Sequence, residues 1–308
     1  MSKAVWPLLA LLTGLVIFLI YIHQIWPDQY VHVIFCDVGQ GDGALITYKF
    51  TQVVIDGGPD SSILSCLSKH MPAWDREIEI VVATHGDLDH MGGILPILER
   101  YQVNRLFTIG YGKGSSSFEA LRKSIIRERI LGMELLAGFA GQKFKIDDLI
   151  SGLIVFPHFP VGDMNIYSNK LSETQLSALY QQQEATYGSI NNESIALFLT
   201  IKDIVFFFPS DLEEQAELAM LSGSLLRDTH VLKVGHHGSK TSTSMAILEK
   251  LKPEFAIISL GKNNRYGHPH QQTIQHLDSI KAKTFRTDLL HTIEVVTDGH
   301  QLWWHFGE

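Results

Sequence analysis

The sequence predicts an α/β domain in which two packed sheets carry helices on their outer faces, preceded by one membrane-spanning helix. Three observations predict it. The first 22 residues are almost all apolar, whereas polar and apolar residues mix from Tyr30 onward. β-Branched runs such as Val53-Val54-Ile55 and Ile78-Glu79-Ile80-Val81-Val82-Ala83 alternate with stretches of helical spacing. Strand-like runs also outnumber what one parallel sheet needs, which favours two sheets packed face to face.

The chain therefore divides into an anchor, residues 1–29, and a globular domain, residues 30–308. Lys3 precedes an apolar run from Ala4 to Ile22, about long enough to cross a bilayer as a helix. Trp6, Tyr21 and Trp26 lie near its ends, where amphipathic rings favour the interface. A cleaved signal peptide is the competing reading. It would need a shorter apolar core and a small-residue cleavage site, and Leu19-Ile20-Tyr21-Ile22-His23-Gln24 offers none, so an uncleaved anchor is favoured. Positive charge from Lys3 and the amino terminus precedes the run, and no Lys or Arg falls between His23 and Asp28. The amino terminus is thus expected in the cytoplasm, with a single pass through the cytoplasmic membrane and the domain outside, periplasmic or extracellular.

The whole chain, 308 residues at 45% hydrophobic and 19% charged, suffices for one sizeable core and is neither disordered nor fibrous in composition. Ser117 to Leu131 has helical spacing, with Phe118, Leu121, Ile125 and Ile126 on one side and a basic side that reads as a solvated face. Gly162 to Tyr187 is polar and reads as an inserted loop on the rim. Ser194–Thr200 and Ile204–Phe208 flank a Lys202-Asp203 turn as a hairpin. A strand at Phe255–Leu260, a helix near Gln271–Ile280 and strands around Ile293–Val296 and Leu302–His305 complete the pattern. The two cysteines, Cys36 and Cys66, are too few for a disulfide-stapled scaffold. Cys36 follows the apolar strand Val31–Phe35 and reads as a buried thiol, a bridge to Cys66 being the alternative. The net charge of −8 argues against a generally basic nucleic-acid coat but leaves room for a local cationic patch.

Chemistry concentrates in His85-Gly86-Asp87-Leu88-Asp89-His90, which follows the strand ending at Ala83-Thr84. Carboxylates this close repel one another unless a cation neutralises them, and imidazole with carboxylate is a ligand mixture that suits zinc or manganese. Gly92-Gly93 then lets the backbone approach the site and begin a helix.

These residues resemble the signature of the metallo-β-lactamase fold hydrolases, His-x-His-x-Asp-His after a strand, with Asp87 in the place of the second histidine. That variant is similar to the soluble domain of the ComEC competence proteins and to phosphorylcholine esterases. Asp37-Val38-Gly39-Gln40-Gly41-Asp42, Ile55-Asp56-Gly57-Gly58, Asn191-Asn192-Glu193-Ser194, Pro209-Ser210-Asp211, His236-His237-Gly238-Ser239-Lys240 and Tyr266-Gly267-His268-Pro269 extend the resemblance in the family's order, from Tyr30 to the end. The resemblance implies an αββα sandwich holding two divalent ions, Zn²⁺ or Mn²⁺. His85 and Asp87 would bind one, Asp89 and His90 the other, Asp211 would bridge both while opening a helix, and His268 would be the last ligand. Pro209-Ser210 stands where the family has Thr-Gly. His158 reads as a loop residue rather than a further ligand.

His236 and His237 follow the apolar strand Val231-Leu232-Lys233-Val234, so their side chains are expected on opposite sides. By resemblance to the esterases, one of the pair contacts the substrate phosphate or protonates its leaving group, beside Ser239, Lys240 and Asn191. With Asp89 they form the expected catalytic set. Asp56 is read as supporting a ligand, and Asp37 and Asp42 as holding loops.

The implied reaction is metal-assisted hydrolysis of a phosphodiester, with DNA outside the membrane as the leading substrate. Another phosphoester, an envelope polymer or a headgroup, is the enzymatic alternative. A DNA-binding accessory to a separate channel protein, without turnover, is the alternative of a different class.

Overall fold

The computed structural model describes residues 6, 9–17, 26–109, 116–158 and 188–307. Among these, fifteen strands form two sheets. The first contains β1 (Val31–Phe35), β2 (Ala44–Tyr48), β3 (Thr51–Ile55), β4 (Glu77–Ala83), β5 (Gln102–Thr108), β6 (Glu134–Ala137), β14 (Ile293–Thr297) and β15 (Leu302–Phe306), in the order β15-β14-β1-β2-β3-β4-β5-β6. The second contains β7 (Lys143–Lys145), β8 (Ile150–Phe156), β9 (Ala196–Ile201), β10 (Ile204–Phe208), β11 (Val231–Lys233), β12 (Phe255–Ile258) and β13 (Lys283–Arg286), in the order β13-β12-β11-β10-β9-β8-β7.

Both sheets are mixed. β15 to β3 pair antiparallel and β3 to β6 parallel, and in the second sheet β7 to β10 pair antiparallel while β10 to β13 pair parallel. The hairpin turns at Lys202-Asp203, Ile204 opposing Ile201.

Alternation along the strands decides which side chains go where. Val31, Val33 and Phe35 of β1 face the second sheet and share the core between the sheets with Leu197, Leu199, Phe206 and Phe208. Phe35 and Phe208 stack with ring centroids 5.6 Å apart, joining one sheet to the other. Ile34, Leu45, Val54 and Val81 point outward and are covered by α1 (Ile63–His70), α3 (Ile94–Arg100) and α4 (Ser116–Ile130); the short α2 (Leu88–Met91) lies at the end of β4. The second sheet is covered by α5 (Glu214–Leu221), α6 (Met245–Leu251) and α7 (Gln271–Ser279), with α8 (Thr287–Leu290) after β13. Helices, two sheets, and helices form the layered sandwich that the sequence predicts.

Three expectations meet a different outcome. Cys36 and Cys66 form a disulfide instead of holding a buried free thiol. The bridge joins the end of β1 to α1 and places the two Cα atoms 5.9 Å apart. Asp211 does not open the helix itself, since α5 begins at Glu214 with Glu213 before it. The histidine pair follows β11, but not in the extended backbone that would set its side chains on opposite sides. β11 stops at Lys233, and His236 and His237 both adopt left-handed backbone angles, φ 48° and 52°, within a turn spanning Gly235–Gly238.

Of the apolar N-terminal run, residues 9–17 are helical and their side chains exposed. Among the described residues no helix is long and apolar enough to cross a membrane. The remainder of that run, and the Gly162–Tyr187 insertion, lie outside the described residues.

Candidate metal centre

The site is assembled where parallel strands end, the edge at which α/β sheets place their ligands. The β1–β2 loop supplies Asp42, the end of β3 supplies Asp56, the end of β4 supplies His85 and the turn into α2, β10 leads to Asp211, and β11 leads to His236 and His237. Backbone bonds lock the first three loops together. Asp42 N donates to Asp89 O (3.0 Å), Gly57 N to His90 O (2.7 Å) and Gly58 N to Asp42 O (2.6 Å). Glycine is required at two of these crossings. A Cβ at Gly41 would stand 2.2 Å from Asp89 O, and one at Gly93 would stand 2.0 Å from Gly57 O.

Asp42, His90, Asp211 and His237, all buried, each offer one ligand atom within 4.8 Å of the others. His90 Nε2 lies 3.2 Å from Asp211 Oδ1, and His237 Nε2 lies 3.5 Å from Asp211 Oδ2 and 3.3 Å from Asp89 Oδ2. The other ring nitrogens are tied down. His90 Nδ1 donates to Asp56 Oδ2 (2.8 Å) and His237 Nδ1 to the Ser259 carbonyl (2.9 Å), while His85 Nδ1 sits against the hydroxyls of Thr84 (3.2 Å) and Ser210 (3.3 Å). Such bonds fix which nitrogen carries the proton and aim the other lone pair inward. All three Nε2 atoms are buried with no hydrogen-bond partner, as are Asp42 Oδ1 and Asp211 Oδ1. Buried polar atoms are rarely left so, and a cluster of imidazole nitrogens and carboxylate oxygens of this kind fits divalent cations. Asp56, Ser210, His236 and His237 are held at φ between 48° and 58°, a left-handed region that costs roughly 1 kcal/mol or more per residue and that the surrounding packing enforces.

No family model matches the chain. It is 28% identical over 297 residues to ComE operon protein 3 from Bacillus subtilis (strain 168), covering 91% of this chain and 34% of that protein. It is 26% identical over 266 residues to Recombination protein 2 from Haemophilus influenzae, covering 84% of this chain and 28% of that protein. Among solved structures, the metallo-β-lactamase fold protein YhfI from Bacillus subtilis superimposes with a TM-score of 0.50 and 11% identity, over 89% of this chain and all of that one. The chain is ComEC-like and has the metallo-β-lactamase fold. It spans about a third of the length of the curated relatives it matches.

Within the site of this ComEC-like chain the expected residues distribute unevenly. His85, with its ring centroid 4.1 Å from that of His90, and Asp87, whose Oδ2 is 3.7 Å from His85 Nε2, flank the four-residue cluster. Asp87 and Asp89 keep part of their side chains in solvent, as a group facing an entrance would. His237 sits within the cluster, and His236 stands at its mouth with Nε2 3.8 Å from Asp211 Oδ2 and Nδ1 3.8 Å from Glu213 Oε1. His268 closes one side, its ring 5.7 Å from His236 and 6.4 Å from His237. His158 lies elsewhere, packed on Phe156 and against Gly223. Asn191 begins the turn before β9, where its carbonyl accepts from Ser194. Ser239 is buried, its hydroxyl 3.0 Å from Thr241 Oγ1, while Lys240 is exposed.

Two residues gain a role that the sequence reading does not give them. Asp42 faces the cluster instead of only holding its loop, and buried Lys233 donates to Asp42 Oδ2 from beneath. A lysine inside the apolar run Val231–Val234 was the available signal, since lysine is almost never buried without a partner.

The electrostatics follow from how closely these groups pack. Burial opposes protonation of His90 and His237, yet Asp211, with Asp56 for the first and Asp42 for the second, holds both well above the usual imidazole range. Burial would raise Asp211, but His90 and His237 outweigh it and hold the group well below the carboxylate range. Asp42 is lowered likewise by Lys233 and His237 against burial. Protons thus gather where positive charge is needed, and a bound cation would replace them. His268 is pushed down to about 4 by burial and by His237, His236 and His270, and burial lowers His236.

Proposed function

We propose that this chain is a metal-dependent phosphodiesterase, a nuclease acting on DNA outside the cytoplasmic membrane. The observation that carries the reading is the trio His85, His90 and His237, each with Nδ1 satisfied and Nε2 bare beside carboxylates. Asp42, His90, Asp211 and His237 would hold one divalent ion. His85 and Asp87, with Asp211 nearby through His90, would serve a second. The oxygen-rich donor set suits manganese as well as zinc. Such ions, when bound, lower the pKa of a water and offset the charge that develops on the attacked phosphoryl group.

The protein's own groups supply the remainder. His90 and His237 keep their inward lone pairs because Asp56 and the Ser259 carbonyl hold the opposite N–H groups. His236 stands at the mouth, where it contacts the phosphate or, in its protonated form, passes a proton to the leaving oxygen. Lys240 reaches phosphate oxygens from the rim, and Ser239 and Asn191 shape the loops that bound it.

Two features support the location. The Cys36–Cys66 disulfide fits an oxidising compartment outside the cytoplasm. Leu9, Leu11, Leu12, Leu15, Val16 and Ile17 all expose their side chains, which fits a segment bathed in lipid. A relative named Competence protein ComA, from Neisseria gonorrhoeae, 32% identical over 102 residues, or 32% of this chain and 14% of that protein, supports a role in competence.

The test is a phosphoester panel, DNA strands, a small chromogenic phosphodiester and a phosphomonoester, offered to the purified chain with Zn²⁺ or Mn²⁺. Metal-dependent cleavage of DNA is the expected result. Cleavage of the small ester alone would support the headgroup or envelope-polymer alternative, and DNA retention without turnover would support the binding accessory.

A further inference from the structure

The two walls of the site differ in charge. One wall is built from Asp42, Asp56, Asp87 and Asp89 of the first half of the chain. The other comes from residues 229–248 and 255–277, two stretches without a single Asp or Glu in a protein that has 33 of them. The two stretches pack together at the mouth, where His270 N donates to Gly238 O (2.9 Å) and Thr273 Oγ1 to Ser239 O (2.9 Å). They carry Lys240, Lys262 and Arg265, all exposed, and no carboxylate pairs with any of these among the described residues. Unpaired cations on one wall of an otherwise acidic protein form a local electropositive lip.

Tyr266 stands on that lip. It is 66% exposed, and one face of its ring lies parallel to His268, with centroids 5.6 Å apart and planes at 24°. The loop that presents it is held rigidly. Asn264 Nδ2 donates to the Gly261 carbonyl (3.2 Å) and the His268 carbonyl (2.8 Å), while His268 N donates back to Asn264 Oδ1 (2.9 Å). An aromatic ring pinned on one face and open on the other loses little freedom when a second ring stacks on it. Neither an exposed tyrosine nor a basic loop would carry much alone. Together, two residues before a histidine at the metal centre, they match a chain of phosphates that bears planar bases.

We infer that Tyr266, backed by His268, is a stacking platform for an unpaired nucleobase next to the scissile phosphate, with Lys240, Lys262 and Arg265 tracking the neighbouring phosphates. The inference rests on the phosphodiesterase reading above and narrows its substrate to single-stranded nucleic acid. A base already stacked within a duplex has no free face to offer, so single strands are preferred over duplexes.

The experiment uses the full chain in detergent with Mn²⁺ and two single-stranded oligonucleotides of equal length, one with bases and one abasic. Wild-type protein is expected to favour the base-bearing strand in kcat/KM by roughly 5- to 150-fold, the range that one stacked base contributes. In Tyr266→Ala this preference falls toward one, and Tyr266→Phe restores it. A Lys262→Ala/Arg265→Ala double variant is expected to lower kcat/KM on both strands by a similar factor and to flatten the salt dependence. A preference unchanged in Tyr266→Ala would overturn the inference, as would wild-type protein that cleaves a small phosphodiester but neither strand. Wild-type protein inactive on every phosphodiester would defeat the phosphodiesterase reading itself, and the platform with it.

Discussion

At the scale of single residues, the proposed function divides the site into groups that would hold a cation and groups that would handle substrate. Asp211 approaches both His90 and His237, so Asp211→Ala is expected to abolish metal binding and activity together. His237→Ala is expected to weaken metal binding by at least about 100-fold, because even outer supports of a ligand cost roughly 10–100-fold. His236→Ala is expected to keep the metal and lose roughly 10²–10⁴-fold in turnover. Metal content by elemental analysis beside kcat distinguishes the three. If His236→Ala loses metal as completely as His237→Ala, the division of labour within the pair is wrong. The raised values of His90 and His237 give metal binding a pH dependence of definite sign. In metal-free protein their ionised pairing stabilises the fold below the unfolded imidazole value of 6.5 and is lost as pH rises through the raised folded values. A cation must displace those protons, so affinity falls as pH falls, by up to about tenfold per pH unit for each proton displaced. Calorimetric titration with Mn²⁺ in two buffers of different ionisation enthalpy is expected to report proton release. Binding without release would contradict protonated histidines in the metal-free site. Most ligand types were legible in the sequence, because His85 to His90 crowd four titratable groups into six residues. Asp42 and Lys233 were not, because their partnership spans 191 positions and only the packing of the β1–β2 loop against β11 reveals it.

At the scale of elements, the site depends on loops that cross at glycines and on a tether between β1 and α1. Gly93→Ala places a methyl group 2.0 Å from Gly57 O, an overlap with backbone that neither loop relieves cheaply. It is expected to destabilise the protein by about 1–3 kcal/mol or more, and to lower metal affinity by separating His90 from Asp56. Wild-type melting temperature and metal affinity in that variant would show the crossing to be loose. Removing the disulfide with Cys66→Ser frees a loop of 30 residues, which chain-entropy reasoning puts at about 3–4 kcal/mol. At roughly 2–4 °C per kcal/mol for domains of about this size, the melting temperature is expected to fall by about 6–16 °C. A fall of under about 2 °C, less than 1 kcal/mol on that scale, would mean that the bridge does not constrain the unfolded chain. Strands and the helix at Ser116–Ile130 were legible because their apolar periods are plain. The turn at His236-His237 was not. After the apolar strand Val231–Val234, consecutive residues read as pointing to opposite sides, and the left-handed backbone that turns both rings toward Asp211 has no glycine at either position to announce it.

At the scale of the whole molecule, the layered architecture follows from the sequence for a simple reason. One set of alternating residues on each sheet is buried against the other sheet, and the opposite set needs helices to cover it. Which strands lie side by side was not legible, since β1 near the start of the domain pairs with β14 near its end and nothing local in either strand specifies the other. The proposed orientation, with the domain outside the membrane, has its own check. A reporter that functions only outside the cytoplasm, fused after Glu308, is expected to be active, and activity of a cytoplasm-only reporter at the same position would reverse the topology. The central claim is that Asp42, His90, Asp211 and His237 bind a cation with which the chain cleaves phosphodiesters. The most direct measurement is cleavage of a single-stranded oligonucleotide by the full chain after chelation and again after reloading with Mn²⁺ or Zn²⁺, with metal content measured on the same samples. Cleavage that disappears with the metal, returns on reloading, and never appears in Asp211→Ala is the predicted result. Cleavage that persists in metal-free protein, or its absence from protein shown to carry the metal, would contradict it.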